Sequence, residues 1–126
     1  MINTIFALIV VFQLKHYVCD YLLQTKYMLG KFKLKGWFLP LLSHCSFHAV
    51  ATLIIVKFFG GSNEVALYVA VFDLIAHFFM DWVKVENSRD MSHSNPKYWY
   101  ILGFDQMFHH LTHYVIIYIL IMHNLK

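Results

Sequence analysis

The stretch VALYVAVFDLIAHFFMDWV, residues 65–83, decides the fold. At about 1.5 Å per residue, a helix of this length crosses the ~30 Å hydrocarbon core of a bilayer. Its charged or imidazole side chains are Asp73, His77 and Asp81, each four residues from the next. This spacing places them on one face of a helix. The stretch therefore predicts a membrane-spanning helix with a polar stripe that faces a bundle interior or a wet cavity.

Three further apolar segments are long enough to span a bilayer, at residues 2–23, 37–59 and 98–122. The chain is 60% hydrophobic and 13% charged, whereas soluble domains carry about 25% charged residues. This composition disfavours a soluble bundle. We predict an all-α, integral membrane four-helix bundle that forms a single transmembrane domain over residues 1–126.

The basic residues indicate the orientation. The connections 24–36 and 84–97 hold seven of the ten lysines and arginines, and such loops stay cytoplasmic. Both termini and the 60–64 turn are then expected on the other side of a bacterial inner (cytoplasmic) membrane, with the first helix retained rather than cleaved. Topology explains the net charge of +3, so no nucleic-acid partner is indicated. Cys19 and Cys45 fall inside predicted helices and indicate no disulfide framework.

An internal repeat appears when the sequence is shifted by 61 residues against itself. The paired positions are His16 with His77, Asp20 with Asp81, His44 with Asp105, and His48 with His109. No gap is needed. The repeat predicts two tandem helical hairpins, residues 1–61 and 62–126, related by a pseudo-two-fold axis along the membrane normal.

The repeated positions predict a metal site. They lie at one depth, in the cytoplasmic half of the bundle, within about 15 Å. Each such group costs a few kcal/mol in a membrane, and a divalent cation would neutralise the carboxylates. The predicted ligands are His16, Asp20, His44, His48, His77, Asp81, Asp105 and His109. Asp and His suit zinc first, with manganese or iron as alternatives, and eight ligands suit two or three ions. Interhelical hydrogen bonds or a proton relay remain the alternatives.

Other polar residues extend the same stripes. Asp73 lies one turn beyond His77 and is the candidate catalytic residue, as a general base, with a role in orienting a ligand equally open. The candidate substrate contacts are Gln24, Lys84, Gln106 and His113. Interhelical contacts and positive charge on cytoplasmic loops explain several of these without a substrate.

A resemblance accompanies these motifs. The chain resembles a family of short phage and bacterial membrane proteins of unknown function. The motifs that carry the resemblance are His16-x-x-x-Asp20 followed by Leu22-Leu23-Gln24-Thr25, then His44 and His48, His77-x-x-x-Asp81-x-x-Lys84 and Asp105-Gln106-x-x-His109. More loosely, the His-x-x-x-Asp pairs look like those of membrane-bound metal-dependent hydrolases and of the all-helical, zinc-dependent phospholipase C and single-strand nuclease enzymes. That similarity implies the same metal ligands and a hydrolase, although this chain is much shorter than the soluble enzymes.

The preferred hypothesis is a membrane-embedded, metal-dependent hydrolase of a phosphoester or lipid head group near the cytoplasmic face. Its expected partners are the lipid bilayer and that substrate, and a homodimer stays open. The alternatives are a di-metal oxidase or hydroxylase of acyl chains, an ion- or proton-conducting protein, and a structural phage membrane protein.

Overall fold

The computed structural model describes residues 2–124, in which four α-helices follow one another without a strand. The helices are α1 (Ile2–Tyr17), α2 (Phe38–Phe58), α3 (Asn63–Ser88) and α4 (Pro96–Asn124). A π-helical turn, Val18–Leu22, continues α1, and a 3-10 helix, Met28–Phe32, lies in the first connection. The all-α prediction with four helices is confirmed. The ends of the predicted domain, Met1, Leu125 and Lys126, lie outside the described residues.

Three helices are long and apolar enough to cross a membrane: Ile2–Leu22, Phe38–Phe58 and Asn63–Ser88. The fourth predicted span, α4, is not among the three within residues 2–124. Asp105 and the histidines at positions 109, 110 and 113 lower its hydropathy. The third helix also runs five residues beyond its predicted end at residue 83. This extension places Lys84 on the helix instead of in a connection.

A tight turn joins α2 to α3. Gly60 has a φ of +84°, a conformation that glycine adopts without a steric penalty. Gly61 packs so closely that an added Cβ would lie 2.5 Å from Val56 Cγ1. Ser62 then caps α3 by accepting a hydrogen bond from the backbone N–H of Val65, as expected at a helix N-terminus. These contacts make α2 and α3 the closest pair in the bundle.

The interior divides into two ends. At the end that contains the Gly60 turn, the core is apolar and includes Leu8, Phe12, Val56 and Ile116. At the other end, the buried side chains include histidines, aspartates and lysines. Because α2 and α3 belong to different predicted repeats, their close packing links the two halves. The division into repeats 1–61 and 62–126 stays a prediction.

Candidate metal centre

All eight predicted ligands lie at the polar end of the bundle. Each helix contributes two: α1 with its π-helical turn gives His16 and Asp20, and α2 gives His44 and His48. The other four, His77, Asp81, Asp105 and His109, come from α3 and α4. Seven of the eight are at most 3% exposed, and the side chain of Asp20 is 12% exposed. The four stripes therefore meet inside the bundle.

Three imidazoles surround one carboxylate oxygen. Asp20 Oδ1 lies 3.0 Å from His48 Nε2, 3.3 Å from His44 Nε2 and 3.9 Å from His77 Nε2. Ligands bound tetrahedrally at about 2.0–2.1 Å from zinc are about 3.4 Å from one another. Each of the four residues offers a ligand atom within 4.8 Å of the other three, so the group could hold one tetrahedral ion. We call them the Asp20 set.

The π-helical turn positions Asp20. Within it, the backbone N–H of Leu23 donates to the carbonyl of Val18 at 2.9 Å, five residues earlier instead of four. Such a turn holds one more residue than an α-helical turn, and π-bulges frequently occur at functional sites. Asp20 therefore departs from the straight-helix geometry that its spacing from His16 predicts.

A second group shares one residue with the first. His77, Asp81 and His109 each offer a ligand atom, and these atoms lie within 4.8 Å of one another. His109 Nε2 is 3.6 Å from Asp81 Oδ1. Three protein ligands leave a fourth position of a tetrahedral ion for water or substrate, as in catalytic zinc sites. We call these three residues the Asp81 set.

Several buried imidazole nitrogens lack a hydrogen-bond partner in residues 2–124. Both ring nitrogens of His44 and of His77 are in this condition, as is Nδ1 of His48. His44 Nε2 does come within 3.3 Å of Asp20 Oδ1, but the approach does not have hydrogen-bond geometry. A buried polar atom left unpaired costs about 1–3 kcal/mol. An ion bound through one nitrogen of each ring would remove part of that cost, so the donor set fits a cation.

The remaining two predicted ligands contact members of the sets. His16 Nε2 lies 3.0 Å from Asp20 Oδ2 and 3.0 Å from Gln106 Oε1. Asp105 Oδ1 lies 3.1 Å from His109 Nε2. The His16 contact would orient Asp20, as outer partners in metal sites do, whereas Asp105 contacts the same His109 nitrogen that faces Asp81. Metal ligation by His16 and Asp105 stays a prediction.

Comparison with known proteins gives a family. The model of a family described as "Protein of unknown function (DUF3307)" matches residues 8–126. The chain belongs to the DUF3307 family. No curated protein and no solved structure matches the chain. The predicted family of unknown function is confirmed, whereas the similarity to zinc-dependent hydrolases stays a prediction.

The sequence did not reveal that lysines pair with the site carboxylates of this DUF3307 chain, although it predicted Lys84 as a substrate contact. Lys31 Nζ lies 2.5 Å from Asp81 Oδ2, and Lys84 Nζ lies 3.3 Å from Asp81 Oδ1 and 3.2 Å from Asp105 Oδ2. These ammonium groups neutralise carboxylates for which the sequence argument required a metal ion. Asp20 is not neutralised in this way, because it has no lysine or arginine within 4.0 Å in the described part of the chain.

Lys31 reaches the interior because the first connection folds back against α2. Its 3-10 helix packs so that a Cβ on Gly30 would lie 3.0 Å from Pro40 Cγ, which favours glycine at this position. Lys31 is 2% exposed as a result. A glycine beside a lysine in a basic connection was the available sequence signal, but loop charge explained that lysine equally well.

Asp73 belongs to neither set. Its Oδ2 lies 2.6 Å from Lys15 Nζ and accepts a hydrogen bond of 2.6 Å from the Thr52 hydroxyl. His113 Nε2 lies 3.4 Å from the same ammonium group. All four side chains are buried. We call the first two of these residues, Lys15 and Asp73, the Lys15–Asp73 pair. A carboxylate held by an ammonium group is a poor general base, so the catalytic role of Asp73 stays a prediction without geometric support.

A pocket of about 210 Å³ leads to Asp20. We call it the entrance pocket. Its lining residues are Asp20, Tyr21, Gln24, Lys31, Phe32, Lys84, Tyr98, Leu102 and Gln106. Three of the four predicted substrate contacts, Gln24, Lys84 and Gln106, are in this lining. The fourth, His113, lies beside Lys15 instead.

Proposed function

We propose that this DUF3307 chain is a membrane-embedded, metal-dependent hydrolase that acts on a phosphoester at the cytoplasmic face of a bacterial inner membrane. The observation that carries the proposal is the Asp20 set, in which three imidazole nitrogens surround one carboxylate oxygen at 3.0–3.9 Å. The unpaired nitrogens of His44 and His77 support it.

The apolar exterior supports membrane embedding. Three helices have the length and hydropathy of membrane spans. Large apolar side chains on different helices face outward, among them Phe6, Ile54, Ile75 and Tyr118, each at least 60% exposed. Exposed apolar surface of this extent indicates a lipid or protein partner. The fourth helix packs against α1 and α3, so we infer that it crosses the bilayer with them. The basic connections favour a cytoplasmic location for the polar end.

Two ions of zinc type suit the donors best. His77 belongs to both sets and would give a nitrogen to one ion. With His77 on the ion of the Asp81 set, each ion would have three protein ligands and one position for water or substrate. A divalent ion held by these residues would lower the pKa of a bound water and would stabilise the negative charge on a phosphoryl oxygen. His16, which contacts Gln106, would orient Asp20.

Ion or proton conduction is less well supported. A conducting path would need polar groups across the whole bundle, but the interior beyond the Lys15–Asp73 pair is closed by apolar side chains such as Leu8, Val56 and Ile116. A di-metal oxidase remains an alternative that elemental analysis would identify, because bound iron and an oxygen-dependent visible spectrum would replace colourless zinc.

The test uses the full chain purified in detergent, with metal content measured by elemental analysis and hydrolysis measured on a panel of phosphoesters. The variant is His48→Ala, and His123→Ala, at an exposed position of the same residue type, is the matched control. We expect wild type and control to retain metal and activity, and His48→Ala to lose both. Metal-bound wild type without hydrolysis of any ester would refute the hydrolase, and wild type without metal would refute the whole proposal.

A further inference from the structure

We infer that the entrance pocket binds the phosphate group of a phosphate monoester, held by Lys31 and Lys84 beside an ion in the Asp20 set. The inference rests on the proposed function and specifies its substrate class.

The charge balance of the polar interior calls for an anion. Four aspartates, at positions 20, 73, 81 and 105, face three buried or half-buried lysines, at positions 15, 31 and 84. With neutral histidines, one negative charge remains. A single divalent ion converts this to one excess positive charge, and a second ion adds two more. An uncompensated charge inside a membrane protein costs several kcal/mol, so the metal-loaded centre favours an anionic ligand.

The two lysines that line the pocket have N–H donors beyond those that their carboxylate partners use. Each ammonium group has three N–H donors. The structure gives Lys31 one carboxylate partner, Asp81, and gives Lys84 two, Asp81 and Asp105. Two donors of Lys31 and one of Lys84 are therefore available to a ligand in the pocket that both residues line.

The number of cationic groups suits a monoester better than a diester. An ion in the Asp20 set and the two ammonium groups provide three positive centres around the pocket. A phosphate monoester presents three unesterified oxygens and up to two negative charges, whereas a diester presents two oxygens and one charge. The monoester can therefore give each positive centre an oxygen of its own.

The remaining lining constrains the rest of the substrate. The pocket volume of about 210 Å³ is equivalent to about seven water molecules at ~30 Å³ each, so it admits a phosphate group with little else. Its other walls include Phe32, Tyr98 and Leu102. These apolar side chains fit an alcohol portion that is apolar next to the phosphate.

The reaction balances with water alone. The oxygen of one water molecule forms a bond to phosphorus, and the bond from phosphorus to the alcohol oxygen breaks. That oxygen takes a proton from the water, which yields a free alcohol and inorganic phosphate. The product carries the recognised group, so inorganic phosphate itself is a probe of the pocket.

The binding experiment uses inorganic phosphate and the zinc-loaded full chain in detergent, followed by titration calorimetry. Lys84→Gln removes one donor, and Lys97→Gln, at an exposed position, is the matched control. We expect phosphate binding to wild type and Lys97→Gln, and binding at least about 10-fold weaker to Lys84→Gln. Lys84→Arg, which keeps the charge, should recover most of the affinity. Equal affinity in all four proteins would overturn the inference.

A substrate comparison needs no variant and so does not depend on folding of a mutant. Zinc-loaded wild type is given a dialkylglycerol phosphate in mixed micelles, the methyl diester of the same lipid, and the soluble monoester glycerol phosphate. Faster release from a monoester supports the inference, and the two monoesters distinguish a lipid from a soluble substrate. Faster cleavage of the diester would overturn the inference and leave the proposed hydrolase standing. Cleavage of none, with zinc bound, would overturn both.

Discussion

Asp20 and Asp73 are buried or nearly buried aspartates in one bundle, but their surroundings differ in kind. Asp20 is surrounded by imidazoles, three of them around one oxygen. Asp73 lies deeper, where a lysine ammonium group at 2.6 Å and a threonine hydroxyl at 2.6 Å engage the same oxygen. Around Asp20 the negative charge is not neutralised and several ring nitrogens have no hydrogen-bond partner. At Asp73 the ammonium group neutralises the negative charge.

The difference separates a ligand set from a structural ion pair. Neutral imidazoles offer lone pairs to an ion but cannot neutralise a carboxylate, so Asp20 keeps its charge for a cation. An ammonium group neutralises Asp73 and offers no lone pair. The same residue type on the same kind of polar stripe is thus suited to metal binding at one depth and to helix packing one level deeper.

The largest expected effect is a difference in metal content between the two variants in which one aspartate is replaced by asparagine. Asp20→Asn should lose about one equivalent of metal, because the anionic ligand of the Asp20 set is removed. Asp73→Asn should keep the wild-type metal content, since its carboxylate lies outside both sets. Elemental analysis of the two purified variants makes the comparison. Equal losses in both would show that the two regions form one site.

The next effect concerns the Lys15–Asp73 pair. Lys15→Met leaves a buried carboxylate without its ammonium partner and should lower the free energy of unfolding by about 3–5 kcal/mol. The double variant Lys15→Met, Asp73→Leu removes both charges and should recover most of that loss. Unfolding in mixed detergent micelles measures both. If the double variant were as unstable as the single one, Lys15 and Asp73 would stabilise the bundle by more than neutralising each other's charge.

The smallest expected effect is the loss of stability when the Thr52 hydroxyl is removed. Thr52→Val removes the hydrogen bond to Asp73 and should cost about 1.5–3 kcal/mol, because the acceptor is charged and buried. Thr112→Val is the control, since Thr112 donates only to the carbonyl of Phe108 on its own helix and should cost about 1 kcal/mol or less. Metal content should not change in either variant. Lower metal content in Thr52→Val would indicate that the Asp73 region supports the Asp20 set.

The convergence of the eight stripe residues could be predicted because it follows from local rules. Four-residue spacing places His44 and His48 on one helical face, and the cost of polar groups in a membrane turns that face inward. The roles of Asp73 and Lys31 could not be predicted in this way. A lysine side chain spans several ångströms, so its partner need not share its stripe or even its helix.

The helix boundaries, too, could be predicted from the sequence only in part. The hydropathy of residues 65–83 predicts a span, and α3 contains it. Its continuation to Ser88, which brings Lys84 to Asp81 and Asp105, follows from backbone hydrogen bonding, which does not stop where hydropathy falls. The π-helical turn at Asp20 is likewise absent from the periodicity.

The sequence by itself determined that the chain is all-helical, that its helices carry histidine and aspartate stripes, and that those stripes share one end of the bundle. Only the tertiary structure decided which carboxylates meet imidazoles and which meet lysines. Lys15 and Asp73 are 58 residues apart, and Lys31 and Asp81 are 50 apart. Periodicity describes one helix at a time, whereas these pairings depend on how neighbouring helices pack and how far a side chain reaches between them.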